Sequence, residues 1–165
     1  MNIYALSSGR GPSGIAIIRL SGKETIKIVE LISKKKNLNS KEVNFCKFYN
    51  PSNNTLIDEG LLLLFTAPNS FTGDDLAEFH IHGSNAVITL FLEVLSEQSN
   101  CRLAEAGEFT KIAFQNNKID LLKAESIGDL IHSETELQRE QAVKFIQGSA
   151  SNYYNDLREK IIKSL

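Results

Sequence analysis

Glu78, His80 and His82 stand at alternate positions in Ala77-Glu78-Phe79-His80-Ile81-His82-Gly83. In an extended segment they share one face, and Ala77, Phe79 and Ile81 take the other. A carboxylate and two imidazoles on one side of a short strand suit metal ligation or hydrogen bonding to a polar ligand. None of them is needed to build a core. Glu78 is the most pointed, because an unpaired carboxylate in mid-strand is costly to bury. A ligand with two adjacent N–H groups would satisfy it through charge-assisted bonds of on the order of 1.5–3 kcal/mol each. The polar turn Ala67-Pro68-Asn69-Ser70-Phe71-Thr72-Gly73-Asp74-Asp75 immediately before this strand reads as the wall of a binding site. His80 and His82 could chelate a metal from one face, but no Cys or third His is spaced to complete a centre, so metal binding is not expected.

Arg19 is a second candidate, set on the same face as Ile15 and Ile17 in the apolar strand Ile15-Ala16-Ile17-Ile18-Arg19-Leu20. From position alone, an arginine reaching solvent from a strand end is the simpler account. Asn117-Lys118-Ile119-Asp120 matches the Asn-Lys-x-Asp element that reads guanine. It follows a helical segment, Phe109–Phe114, and no phosphate-binding G-x-x-x-x-G-K-[ST] occurs in the sequence, so the nucleotide reading fails. Gly9-Arg10-Gly11 lacks the glycine spacing of a dinucleotide fingerprint and reads as a tight turn whose amides can approach a ligand or partner. No Ser/His/Asp or Cys/His arrangement points to covalent catalysis.

The elements that must hold these residues follow from pattern. Asn2–Leu6 and Gly14–Leu20 read as strands, and Ser21 with Glu24 reads as a capping box opening a helix through about Ser33. Val43–Tyr49 and Leu56–Phe65 form a hairpin pattern, and Ser84 or Asn85 caps a helix with Val87, Leu90, Phe91, Val94 and Leu95 inward. A short strand follows at Cys101–Ala104. From Glu105 the pattern turns helical: Phe109, Ile112 and Ala113 mark one helix, and Leu121, Ala124 and Ile131 a second. A long third helix carries one stripe through Ile146, Ala150, Tyr153, Leu157, Ile161 and Leu165. That stripe has no terminator, which leads us to expect the front part of a longer protein.

With 165 residues, 42% of them hydrophobic, the chain can hold one core or a domain with an appendage. A net charge of −2 provides no global basic field for nucleic acid, and Lys34-Lys35-Lys36 reads as a solvated helix end. Cys46 and Cys101 lack metal-ligand spacing. No signal peptide or membrane-length apolar run is present, so a soluble cytoplasmic protein and no membrane association are expected.

Three ordered blocks resemble the MnmE (TrmE) family of tRNA modification GTPases. The first runs from Ser8-Gly9-Arg10-Gly11 through Gly14-Ile15-Ala16-Ile17-Ile18-Arg19-Leu20-Ser21-Gly22. The second is Pro68-Asn69-Ser70-Phe71-Thr72-Gly73-Asp74-Asp75 with Glu78 and His82-Gly83. The third runs from Ala106-Gly107-Glu108-Phe109-Thr110 through Ala113–Leu121 into Lys123–Ile131.

The resemblance implies an α+β fold: a mixed β-sheet with helices, tetrahydrofolate-binding and aminomethyltransferase-like, followed by long helices of a truncated helical domain. It implies a folate-binding and dimerisation domain over residues 1–117 and the first helices of the helical domain over 118–165, with the GTP-binding domain absent. The family's folate positions carry over as Arg19, Glu78 and Lys118, with 5-formyltetrahydrofolate as the one-carbon source. Glu78 would accept from the ring N–H and exocyclic amine of the pterin, with Arg19 and Lys118 orienting its carbonyl and carboxylate groups. His82 matches the family's His-Gly pair; His80 is outside the motif and is expected to pack locally. Implied partners are a second copy of the chain, the flavin-dependent protein MnmG and tRNA, whose wobble uridine receives an aminomethyl or carboxymethylaminomethyl group at carbon 5. GTP, potassium and magnesium would belong only to the missing domain. Two other readings stay open: a stand-alone folate-dependent aminomethyltransferase-like enzyme, and a structural dimerisation module.

Overall fold

Alternating apolar residues in the first part of the chain demand a sheet covered on one face, and that is what forms. The computed structural model describes Met1–Gly9 and Gly11–Ser164, without the side chains of residues 150–153 and 155. It divides into two compact units, Met1–Phe109 and Thr110–Leu165. In the first unit the strands are β1 (Asn2–Leu6), β2 (Ser13–Ser21), β3 (Val43–Tyr49), β4 (Leu56–Phe65), β5 (Leu76–Gly83) and β6 (Cys101–Leu103). They make one sheet in the order β3-β4-β5-β2-β1-β6. Every pairing is antiparallel except β1 with β6. The helices α1 (Thr25–Ser33) and α2 (Asn85–Ser96) complete the α+β fold of this unit, and α3 (Glu108–Gln115) begins at its end.

Both α1 and α2 bury their apolar stripes against one sheet face. Ile28, Val29 and Ile32 of α1 and Phe91, Val94 and Leu95 of α2 join Ile18, Leu20, Leu62, Leu64, Phe48 and Phe79 in a single core. The rings of Phe48, Phe79 and Phe91 meet pairwise at centroid distances of 5.5, 5.6 and 4.9 Å. Each such side chain contributes on the order of 1.5–3 kcal/mol through burial. The other residues of the same strands form the opposite face. Its exposed members include Ile15, Val43, Phe45 and Leu61.

The expected capping box at Ser21 and Glu24 does not form. Ser21 stays in β2, where its hydroxyl meets Thr72 Oγ1 at 2.7 Å and donates to the Asp75 carbonyl at 3.1 Å. Asn2 Oδ1 accepts from the Glu24 backbone N–H instead, at 3.0 Å. The side chain of an adjacent strand has taken the place of a local cap. Ser84 caps α2 as expected, accepting from Val87 N–H.

In the second unit α4 (Leu121–Ile131), α5 (Glu136–Ile146) and α6 (Ser149–Ser164) follow one another. Thr135 and Gln138 make a complete capping box at the start of α5. The long third helix is two helices, because Gly148 adopts a φ of +91° and turns the chain between Ile146 and Ser149. Ile146 therefore ends one helix while Leu157 and Ile161 lie on the next. The stripe's Leu165 and the side chains of Ala150 and Tyr153 lie outside the described residues. No helix among the described residues is long and apolar enough to cross a membrane.

The β4–β5 ladder pairs from Phe65↔Leu76 to Leu61↔His80 and then stops. Gly60 marks the point: a Cβ there would lie 2.0 Å from the His80 carbonyl oxygen. Beyond it the Asp58 side chain replaces the ladder, accepting from His82 N–H at 2.7 Å and pairing with His82 Nδ1 at 2.9 Å. Burial pushes the Asp58 carboxyl up, but the hydrogen bonds from His82 and the Glu59 backbone outweigh it and hold Asp58 below its ordinary value. The hydrogen bond and charge of Asp58 hold His82 above the usual histidine value.

Two outcomes follow from this clamp. Gly60→Ala should lower stability by about 1–3 kcal/mol through backbone overpacking, whereas Gly128→Ala in α4, where a Cβ meets nothing within 4 Å, should be neutral or stabilising. Urea unfolding followed by circular dichroism reads both. The His82 contribution is fully present below the pH at which unfolded histidine titrates and is lost as pH rises through the raised folded value. The Asp58 contribution is present above the unfolded carboxyl range and is lost as pH falls through the lowered folded value. Raising pH from about 6 to about 8 should therefore lower the urea midpoint, and Asp58→Asn should flatten that dependence.

Candidate ligand-binding site

The register of β2 against β5 sets Arg19 opposite Glu78, on the sheet face away from the core. Arg19 Nε and Nη2 both donate to Glu78 Oε1, at 3.0 and 2.6 Å. Arg19 is thus no strand-end arginine running to solvent; it is a mid-ladder residue bound to its cross-strand neighbour. The two side chains keep 29% and 18% of their surface exposed, and a pair this open to water adds little stability. Its use lies in orienting the carboxylate.

Both Arg19 hydrogen bonds fall on Oε1. Glu78 Oε2 carries no hydrogen bond among the described residues, and His80 Nε2 lies 3.7 Å from it. That distance is beyond hydrogen-bond reach. His80 Nε2 is itself buried and has no hydrogen-bond partner among the described residues. Glu78 is therefore a divided carboxylate, with one oxygen held by arginine and the other open beside an unsatisfied imidazole nitrogen. His82 takes no part, since its ring turns to Asp58.

Two aromatic rings flank the pair. The Arg19 guanidinium carbon lies 6.0 Å from the Phe71 centroid and 5.6 Å from that of Phe109, within cation–π range. Phe71 is presented by the turn between β4 and β5, which is tied down by its own hydroxyls. Gly73 N–H donates to Ser70 Oγ at 2.9 Å, and Ala67 N–H to Asp75 Oδ1 at 2.8 Å. Thr72 is fully buried against Ser21, so alternation along the turn leaves Phe71 outward. Phe109, read from the sequence only as a helix-face residue, stands in the first turn of α3. The sequence places Phe71 in the turn that reads as a binding-site wall without singling it out, and it does not mark Phe109 as a site residue. The signal for Phe71 is its place between two buried hydroxyl residues, and Phe109 gave none.

Lys118, the third expected residue, belongs to the second unit. Asn117, in the left-handed conformation at φ 55°, ends the turn after α3, and Lys118 N–H donates to the Ala113 carbonyl at 2.8 Å. Asp120 Oδ1 caps α4 by accepting from Lys123 N–H at 2.7 Å. The Asn-Lys-x-Asp lookalike is thus a helix-to-helix connection with Lys118 inside it.

The site offers hydrogen bonding, a fixed charge pair and ring surface. It offers no activated nucleophile: Cys46 and Cys101 are unpaired thiols, and burial pushes both upward, away from the thiolate. Among the described residues no group of three or more His, Cys, Asp or Glu could hold a metal ion. The arrangement suits recognition of a flat ligand with an N–H edge.

Residues 2–118 match the family described as GTP-binding protein TrmE N-terminus. A tRNA modification GTPase MnmE from Pelagibacter ubique is 53% identical over 165 residues, covering 100% of this chain and 37% of the relative. The mitochondrial tRNA modification GTPase gtpbp3 of Dictyostelium discoideum is 42% identical over 98% of this chain and 33% of its own length. An MnmE from Rickettsia bellii is likewise 42% identical over 98% of this chain and 36% of that protein. The chain spans about a third of the length of these curated relatives. By these matches the chain belongs to the TrmE N-terminal family, which its relatives carry as tRNA modification GTPases.

Proposed function

We propose that this chain is the folate-binding and dimerising part of a protein that modifies the wobble uridine of tRNA. The observation that carries the folate reading is the divided Glu78 carboxylate. Arg19 fixes Oε1 and stands against the Phe71 ring, and Oε2 remains as an acceptor. A pterin presents ring N–H and exocyclic amine on one edge and a flat π-face, and both find counterparts here. Reduced, formylated folate supplies a one-carbon unit when bound. The work of this chain's residues is to grip and orient it, with Arg19 holding the carboxylate in place; Lys118 enters as a folate contact on the family resemblance alone.

Dimerisation rests on a second feature. Ile15, Val43, Phe45 and Leu61 are 64%, 62%, 60% and 39% exposed on the open sheet face. Phe45 pairs in register with Leu61, and Leu61 with His80, so this apolar surface runs up to the Glu78 site. A second copy of the same chain would cover it and seat the ligand near the contact. In the whole protein, action on tRNA with the flavin-dependent MnmG and a GTP-binding domain would follow.

Isothermal calorimetry with 5-formyltetrahydrofolate tests the site. The unaltered chain should bind saturably, and Glu78→Ala should weaken binding by several-fold to hundreds-fold, on the order of 1–3 kcal/mol. Arg19→Ala and Lys118→Ala should also weaken it while circular dichroism stays unchanged. Equal affinity in all three variants would sink the assignment. For the dimer, light scattering should show twice the monomer mass, and Ile15→Asp with Phe45→Asp should return the chain to monomer. A dimer that survives both changes uses another surface.

A further inference from the structure

His80 has no role in the reading above, yet it carries the one buried side-chain nitrogen or oxygen among the described residues that lacks a partner. Three facts define what could satisfy it. The unsatisfied atom is Nε2, its nearest acidic neighbour is Glu78 Oε2, and the gap between them is 3.7 Å. That gap is too wide for a direct bond. It admits one shared donor through bent bonds, since a nitrogen about 2.9 Å from both acceptors sees them about 80° apart and each N–H then lies roughly 20° off its acceptor, still within hydrogen-bond geometry. A neutral imidazole with its proton on Nδ1 offers Nε2 as an acceptor.

We propose that His80 is a specificity-determining residue of this site, and that its Nε2 and Glu78 Oε2 form a two-acceptor seat for a single exocyclic amino group on a planar nitrogen heterocycle. The inference rests on the folate reading and deepens it. Arg19 makes the seat possible by occupying Oε1, which leaves Oε2 turned toward the imidazole. An oxo group in the same place would set a third acceptor against two others. A ligand lacking the amino group would leave Nε2 as unsatisfied as it is without ligand. Sites built around a buried polar partner reject the analogue that lacks it far more strongly than apolar pockets reject a change of size. Through His80, the strand face that supplies charge recognition also distinguishes amino from oxo and unsubstituted rings.

The test is a cycle between residue and ligand, read by calorimetry on the full chain. Its ligands are 5-formyltetrahydrofolate and its 2-desamino analogue. For the parent ligand His80→Leu should weaken binding by about tenfold or more, His80→Asn should do the same because its amide is too short to reach, and His80→Gln should stay within about threefold. For the desamino analogue the unaltered chain and His80→Leu should bind alike. If the unaltered chain binds the parent ligand and His80→Leu matches it, the seat does not exist and the folate reading stands. An equal loss for both ligands assigns His80 a purely structural role and also overturns the proposal. If the unaltered chain binds no reduced folate at all, the folate reading itself falls.

Discussion

The pairing of β2 with β5 is the constraint on which the rest of the site depends. Because side chains alternate along a strand, one register puts Ile18, Leu20, Phe79 and Ile81 into the core and Arg19 and Glu78 on the open face. A slip of one residue would exchange the two sets, burying charge and exposing the aromatic cluster. The hydrophobic effect thereby does the positioning for the polar site. The ion pair needs no stability of its own to be held in place, since the core behind it decides where it sits.

Much of this was legible in the sequence for the same reason. Strands with period two declare both faces at once, so the core residues and the candidates Arg19 and Glu78 came from one pattern. What pattern could not give was which residues face each other across the sheet. Arg19 and Glu78 are 59 positions apart, and their contact is a property of register alone. The local signals that failed did so under tertiary competition. Ser21 had a good cap spacing, but its hydroxyl found buried partners in Thr72 and Asp75, and Asn2 reached in from β1 to serve the helix start. The apolar stripe after Ile146 kept its period across Gly148, so hydrophobicity alone could not reveal the turn there.

His80 shows a different limit. Read one residue at a time it is a half-buried imidazole outside the family's motif, and local packing explains it well enough. Only the division of Glu78 into one bonded and one open oxygen gives that imidazole a meaning. The family match identifies the chain's kinship and its link to tRNA modification GTPases. The chemistry of recognition has to be argued from atoms that a motif does not count.

The turn carrying Phe71 has a kinetic consequence. Its hydroxyls and carbonyls are bound to Ser21 and Thr25, the residues at the end of β2 and the start of α1, through Asp75 at 3.1 and 3.2 Å. The Phe71 turn and the arginine its ring flanks are therefore both anchored to β2. Most of the ordering entropy of that turn is spent during folding and little is left to be lost at encounter. A ligand arriving from solution meets a finished surface, so its capture rate should climb in proportion to concentration without levelling off at the pace of a closing loop.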